Sequence, residues 1–74
     1  MEYYKRLLAL RENSSLTQLR VAKILKVVQK TYSDYELKRI RIPLESMIKL
    51  AEYYDVSMDY ISGVSNVMRR FPRE

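Results

Sequence analysis

One glycine, Gly63, and two prolines, Pro43 and Pro72, are all that this chain offers for sharp backbone reversal. A β-sandwich needs turn residues every few positions, so the scarcity points instead to helices closed by short polar turns. At 74 residues the chain makes one domain, near the lower limit of what folds without a staple. Cys and His are both absent, so disulfides and zinc ligation cannot supply one.

Apolar spacing divides the chain into five helical segments. From Glu2 to Glu12, Tyr3, Leu7 and Leu10 fall at i, i+4, i+7, with Tyr4, Leu8 and Arg11 on the adjacent stripe. Asn13-Ser14-Ser15 ends that segment, and Thr17 caps a second helix, Gln18 to Leu25, buried through Val21, Ala22 and Leu25. Lys26 and Val27 form a tight turn before a third helix, Val28 to Leu37. Its Tyr32 and Tyr35 face one way; Gln29, Lys30, Ser33, Asp34 and Leu37 face the other. A basic loop runs to Pro43, which suits a helix start, and the fourth helix from Leu44 to Tyr53 or Tyr54 carries Leu44, Met47, Ile48 and Ala51 as its apolar stripe. Ser57 caps a short fifth helix that stops at Gly63. Residues 1–63 form the domain, and residues 64–74 read as a short basic tail with one loose helical turn from Ser65 to Arg70.

Charge is not spread evenly over these segments. Residues 20–41 hold Arg20, Lys23, Lys26, Lys30, Lys38, Arg39 and Arg41 against Asp34 and Glu36, which equals the whole net charge of +5. A basic stretch on a neutral remainder is the footprint of a face that binds a polyanion. Catalysis has little to work with. Without His there is no Ser-His-Asp triad, and one glycine excludes a Gly-rich phosphate cradle. A metal site would have to be all-carboxylate, and Glu52, Asp55 and Asp59 read as a solvated acidic edge, so neither enzyme, metal nor cofactor is expected. The longest apolar run is far short of a membrane span, the start lacks a signal-peptide core, and the missing Cys suits a reducing compartment. A soluble cytoplasmic domain is expected.

Two short helices joined by a tight turn fit the DNA major groove, with first-turn side chains of the second helix reaching base edges. Arg20 sits at the third position of its helix, where a glutamate would suit the dipole; a cation there is out of place for the helix but well placed beside a phosphate.

The strings Leu16-Thr17-Gln18, Ala22-Lys23-Ile24-Leu25, Gln29-Lys30-Thr31-Tyr32-Ser33-Asp34-Tyr35-Glu36, Ile42-Pro43-Leu44-Glu45, Ile48-Lys49-Leu50-Ala51 and Val56-Ser57-Met58-Asp59-Tyr60-Ile61 occur in this order between Leu7 and Gly63. The ordered set resembles the Cro/phage-repressor type of helix-turn-helix domain. That resemblance implies an all-α, compact five-helix, lambda-repressor-like fold in which helices two and three read DNA. It implies a transcriptional regulator, commonly a repressor, that binds double-stranded DNA as a dimer. By the same resemblance Gln29, Lys30 and Asp34 read bases, and Gln18, Arg20, Ser33, Lys38, Arg39 and Arg41 meet phosphates. Glu36 matches an acid that pairs inside the fold with a basic residue of helix one, here Arg11. The apolar residues Met58, Tyr60, Ile61 and Val64 lie where family members often pair.

Departures from the pattern cluster at the DNA face. Lys26 and Leu37-Lys38 stand where the family often has Gly and Asn-Gly, and Val28 stands where Ser or Thr would cap helix three. Leu19, Val28, Leu37 and Ile40 are apolar where polar groups are expected. They favour a second function, a protein-interaction module on the same fold such as an accessory factor or antitoxin-like subunit; the clustered basic charge opposes it.

Overall fold

The computed structural model describes residues 1–73. Five α-helices follow one another: α1 (Tyr3–Asn13), α2 (Gln18–Leu25), α3 (Gln29–Glu36), α4 (Leu44–Tyr54) and α5 (Met58–Ile61). No strand occurs among the described residues. The two side-chain caps form as the sequence predicts. Thr17 Oγ1 accepts the Arg20 N–H at 3.1 Å, and Ser57 Oγ accepts the Tyr60 N–H at 3.2 Å. Helix α3 starts at Gln29 with Val28 in the cap position and no side-chain cap bond.

Four helix ends close in the same way, and none of them uses glycine. Ser15, Lys26, Lys38 and Asp55 all adopt φ between 55° and 60°. After each, the next N–H reaches back five residues: Leu16 to Arg11, Val27 to Ala22, Arg39 to Asp34 and Val56 to Ala51, at 2.9–3.1 Å. These are Schellman closures, in which glycine is the usual left-handed residue because it carries no Cβ penalty. Gly63, at φ 84°, is needed for a further reason: a Cβ there would collide with the Met1 carbonyl.

The core is a single cluster. Leu7 and Leu10 of α1 meet Val21, Ala22 and Leu25 of α2, Tyr32 and Tyr35 of α3, Leu50 and Ala51 of α4, and Ile42, Val56 and Ile61. Burying a side chain such as Leu7 or Leu50 contributes roughly 1.5–3 kcal/mol. The buried stripe of α4 differs from the expected one. Leu44 is 65% exposed, because it opens the helix directly after Pro43, beyond the edge of the core. The inward positions are Met47, Leu50, Ala51 and Tyr54, again at i, i+3, i+4, i+7.

The segment after Gly63 also departs from expectation. Ser65 to Arg70 contains no helical turn; it runs without regular structure along α4 and α5. Ser57 N–H donates to Arg69 O at 2.8 Å, Phe71 N–H to Asp55 Oδ1 at 3.2 Å, and Arg70 Nε to Asp55 Oδ2 at 2.7 Å. Asp55 is therefore the anchor of this segment, not part of a solvated edge, and Arg70 holds its carboxyl below the usual carboxylate range. At the other end Arg6, only 3% exposed, donates to Tyr60 O at 2.6 Å, Ser65 O at 3.2 Å and Asn66 Oδ1 at 2.8 Å. Its guanidinium lies 3.8 Å from the centre of the Tyr60 ring. The residues expected to pair two copies are thus largely used within one chain. Ile61 is fully buried, Met58 packs on the core and Tyr60 lies against Arg6, which leaves only Val64 free.

Candidate nucleic-acid interface

Helices α1, α2 and α3 are locked together behind the basic face by one carboxylate. Glu36, buried at the end of α3, accepts from Arg11 Nε at 2.7 Å, from Arg11 Nη2 at 3.2 Å and from Gln18 Nε2 at 3.0 Å. Arg11 Nη1 also donates to Leu16 O at 2.9 Å, which fixes the α1–α2 link. Burial by itself raises the Glu36 pKa. Donation from Arg11 and Gln18, with the Tyr32 hydroxyl close by, outweighs it and holds the carboxyl below its ordinary value. The hydroxyls of Tyr32 and Tyr54 are buried without a hydrogen-bond partner. Burial, then the nearby Glu36 carboxylate, raises both phenols, Tyr54 to about 12 and Tyr32 further.

Gln18 therefore has its side-chain amide turned inward to Glu36. What the start of α2 presents outward is the backbone N–H groups of Gln18 and Leu19, that of Arg20 being taken by Thr17, with the Arg20 side chain exposed beside them. The left-handed turn at Lys26 then aims α3. Of the two valines that follow, Val27 packs on the core and Val28 projects into solvent.

On α3, Gln29 and Lys30 occupy the first turn and are exposed, while Ser33 is half-buried one turn later. Asp34 is more enclosed than its outward position suggests. Its carboxylate lies between Lys30 Nζ at 3.1 Å and Arg39 Nη1 at 3.7 Å, and its carbonyl accepts the Arg39 N–H at 2.9 Å. Asp34 thus ties the first turn of α3 to the basic loop. Lys38 is held loosely, 3.4 Å from Glu2 Oε1 and above the Tyr4 ring. Arg20, Lys23, Lys26 and Arg41 are exposed and form no ion pair among the described residues.

The loop also frames a feature that helical spacing does not predict. Tyr3, expected only as core, joins Lys38, Arg39, Ile40 and Arg41 in lining an open cleft of about 220 Å³. Tyr3 packs against the core and also lines this basic recess. Nothing in the local sequence links Tyr3 to residues 38–41; the fold alone brings them together. Leu19, Val28, Leu37 and Ile40 are all exposed.

The pattern of the helix-turn-helix family matches residues 7–61, from the first core leucine of α1 to the end of α5. The chain belongs to the helix-turn-helix family. This helix-turn-helix domain is 36% identical over 64 residues to the uncharacterised HTH-type transcriptional regulator YobD of Bacillus subtilis (strain 168), covering 86% of this chain and 57% of that protein. It also matches the crystal structure of a transcriptional regulator from Listeria innocua with a TM-score of 0.81 and 26% identity, over 84% of this chain and 58% of that one. The domain thus spans somewhat more than half the length of these relatives. Among its described residues no helix is long and apolar enough to cross a membrane.

Proposed function

We propose that the chain is a sequence-specific double-stranded DNA-binding transcription regulator that works in the cytoplasm as a repressor and has no catalytic activity. One observation carries the reading. Exposed cations concentrate on α2, α3 and the loop after α3, where Arg20, Lys23, Lys26 and Arg41 have no ion pair among the described residues and Lys30, Lys38 and Arg39 are loosely held; elsewhere Lys5, Lys49 and Arg69 stand singly, and Arg6 and Arg11 are taken up inside the fold. Helix α3 enters the major groove with Gln29 and Lys30 foremost, Asp34 one turn behind, and Arg20, Ser33, Lys38, Arg39 and Arg41 on flanking phosphates. With its amide bonded to Glu36, Gln18 holds the α2–α3 angle in this reading and meets phosphate through its backbone N–H. Occupation of an operator is enough to exclude a polymerase, so repression needs no further activity.

Two copies on a palindromic site would place their α3 helices about 34 Å apart. With Ile61 and Tyr60 used within the chain, any pairing surface on the described residues falls to Val64, Val67, Met68 and Tyr53, all exposed. Gel shifts with genomic fragments at several salt concentrations test the function. About five phosphate contacts give a log–log slope between roughly −4 and −5. Salt-independent binding, or no binding, would instead favour the protein-interaction module that the exposed Leu19, Val28, Leu37 and Ile40 suggest.

A further inference from the structure

We infer that Val28 is a specificity-determining residue that recognises the C5 methyl group of a pyrimidine in the major groove. The inference rests on the DNA-reading function proposed above and adds a contact to it. Val28 is the cap residue of α3 and is 69% exposed, more than Leu19, Leu37 or Ile40. Its backbone is extended, at φ −74° and ψ 155°, and its carbonyl accepts the Tyr32 N–H at 3.3 Å, so the side chain stands at the very tip of the helix. Its neighbour Val27 already fills the core position, so no packing demand explains a second valine.

A cap residue with a side-chain oxygen would satisfy a first-turn N–H, and placing an apolar residue there forgoes about 1 kcal/mol. Thr17 and Ser57 make that bond in α2 and α5 of this same chain. The isopropyl group therefore stands where the fold gains least from it. Beside it are the exposed amide of Gln29 and ammonium of Lys30, both suited to polar base edges. The major-groove edge offers one apolar feature, the C5 methyl of thymine, and methylated cytosine carries the same group. Valine also has few χ1 rotamers to lose on contact, so its methyls are already positioned.

The test starts from an operator obtained by selecting random duplexes with the full chain, followed by replacement of each thymine in turn with deoxyuridine. Native protein is expected to lose about fourfold in affinity at one pyrimidine per half-site, the effect of one buried methyl. Val28→Ser removes both methyls and supplies the missing cap, so it is expected to fold at least as stably yet to bind thymine and uracil equally at that position. Val28→Thr, with one methyl, should fall between them. Cytosine and 5-methylcytosine at the same position separate the two sources of the methyl. A gain on methylation supports the contact and extends it to modified DNA, while a response confined to thymine against uracil supports it for thymine alone. Coinciding uracil profiles for the native chain and Val28→Ser would overturn the inference and leave the regulator function standing. A selection that enriches no sequence would defeat the DNA-reading function itself, and the methyl contact with it.

Discussion

Two arginines, one in each half of this molecule, are treated in opposite ways: Arg39 stands in solvent and Arg6 is sealed inside. On the α2–α3 half, arginine and lysine stand in solvent, with Arg39 67% and Lys30 80% exposed at the side chain and paired only loosely with Asp34. On the α1–α5 half, Arg6 is sealed among two carbonyls, the Asn66 amide oxygen and the Tyr60 ring, with no carboxylate on it. Arg70 and Arg73 reach Asp55 with their side chains still 85% and 56% exposed, so they are engaged but not enclosed. Net charge counted along the chain therefore overstates what one region can offer a polyanion and describes the other well. What decides is how completely each cation's hydrogen-bonding capacity is met within the fold, since a donor already engaged must break a bond before it meets a phosphate.

The largest expected effect lies where the halves join. Arg11→Ala should lower stability by roughly 3 kcal/mol, because it strands the buried Glu36 carboxylate; for a domain this small that moves the thermal midpoint by more than about 10 °C. Glu36→Gln probes the same joint through pH. The Glu36 carboxyl is held below its ordinary value, so its contribution is complete above that value and fades as pH falls through the lowered one. Urea unfolding between neutral and acid pH should show this loss in the native chain and a flatter profile in the variant.

Arg6→Met should cost about 2 kcal/mol by leaving buried oxygens without donors. It should also speed tryptic cleavage at Arg69 and Arg70, because the segment after Gly63 loses one of its two anchors. Arg6→Lys should fail to restore protection, since one ammonium cannot match a planar fork that serves three separate oxygens. Protection unchanged in Arg6→Met would assign the hold to Asp55 alone.

The contrast between the halves can be broken directly on DNA. Arg39→Gln and Arg41→Gln should each reduce the salt slope by about 0.9 and weaken all sequences alike, whereas Arg70→Gln and Arg73→Gln should leave the slope unchanged. A slope that responds equally to all four would show that engagement within the fold does not govern which cations meet DNA.

The smallest effect concerns the left-handed lysines. Lys26→Gly and Lys38→Gly should each stabilise the domain by about 0.5–1 kcal/mol, relieving a backbone conformation that a Cβ disfavours. Each should also lower DNA affinity at low salt. Opposite signs in chemical unfolding and gel shift would show that these turns keep a positive charge at the expense of backbone comfort.

Features with nearby causes were legible in the sequence. Thr17 and Ser57 cap their helices through bonds spanning three residues, and the bounds of α2 and the burial of Tyr32 and Tyr35 follow from local spacing. Arg6 was not legible, because its oxygens come from positions 54 to 60 residues away and nothing beside it marks it as buried. Leu44 has the right spacing for the core but lies past its edge, which only the packing of α4 defines. The left-handed closures at Ser15 and Asp55 carry no local mark, because glycine is absent from both, while those at Lys26 and Lys38 are marked only by the glycines of the family pattern. At the interface, the basic loop was visible as charge. The enclosure of Asp34, the inward turn of Gln18 and the placing of Tyr3 against residues 38–41 depend on tertiary geometry.

The buried phenols near Glu36 give the chain an optical property of its own. It has seven tyrosines, one phenylalanine and no tryptophan, so tyrosine dominates its near-ultraviolet absorbance. Solvated phenols lose their protons near pH 10, whereas Tyr54 holds its proton to about pH 12 and Tyr32 longer. Unfolding releases both to ordinary values, so alkali draws protons preferentially from the unfolded chain and tilts the balance toward it. A spectrophotometric titration should then show two classes of phenolate, the second appearing together with loss of helical circular dichroism. Alkaline unfolding of this domain can be followed by ultraviolet absorbance, with no label attached.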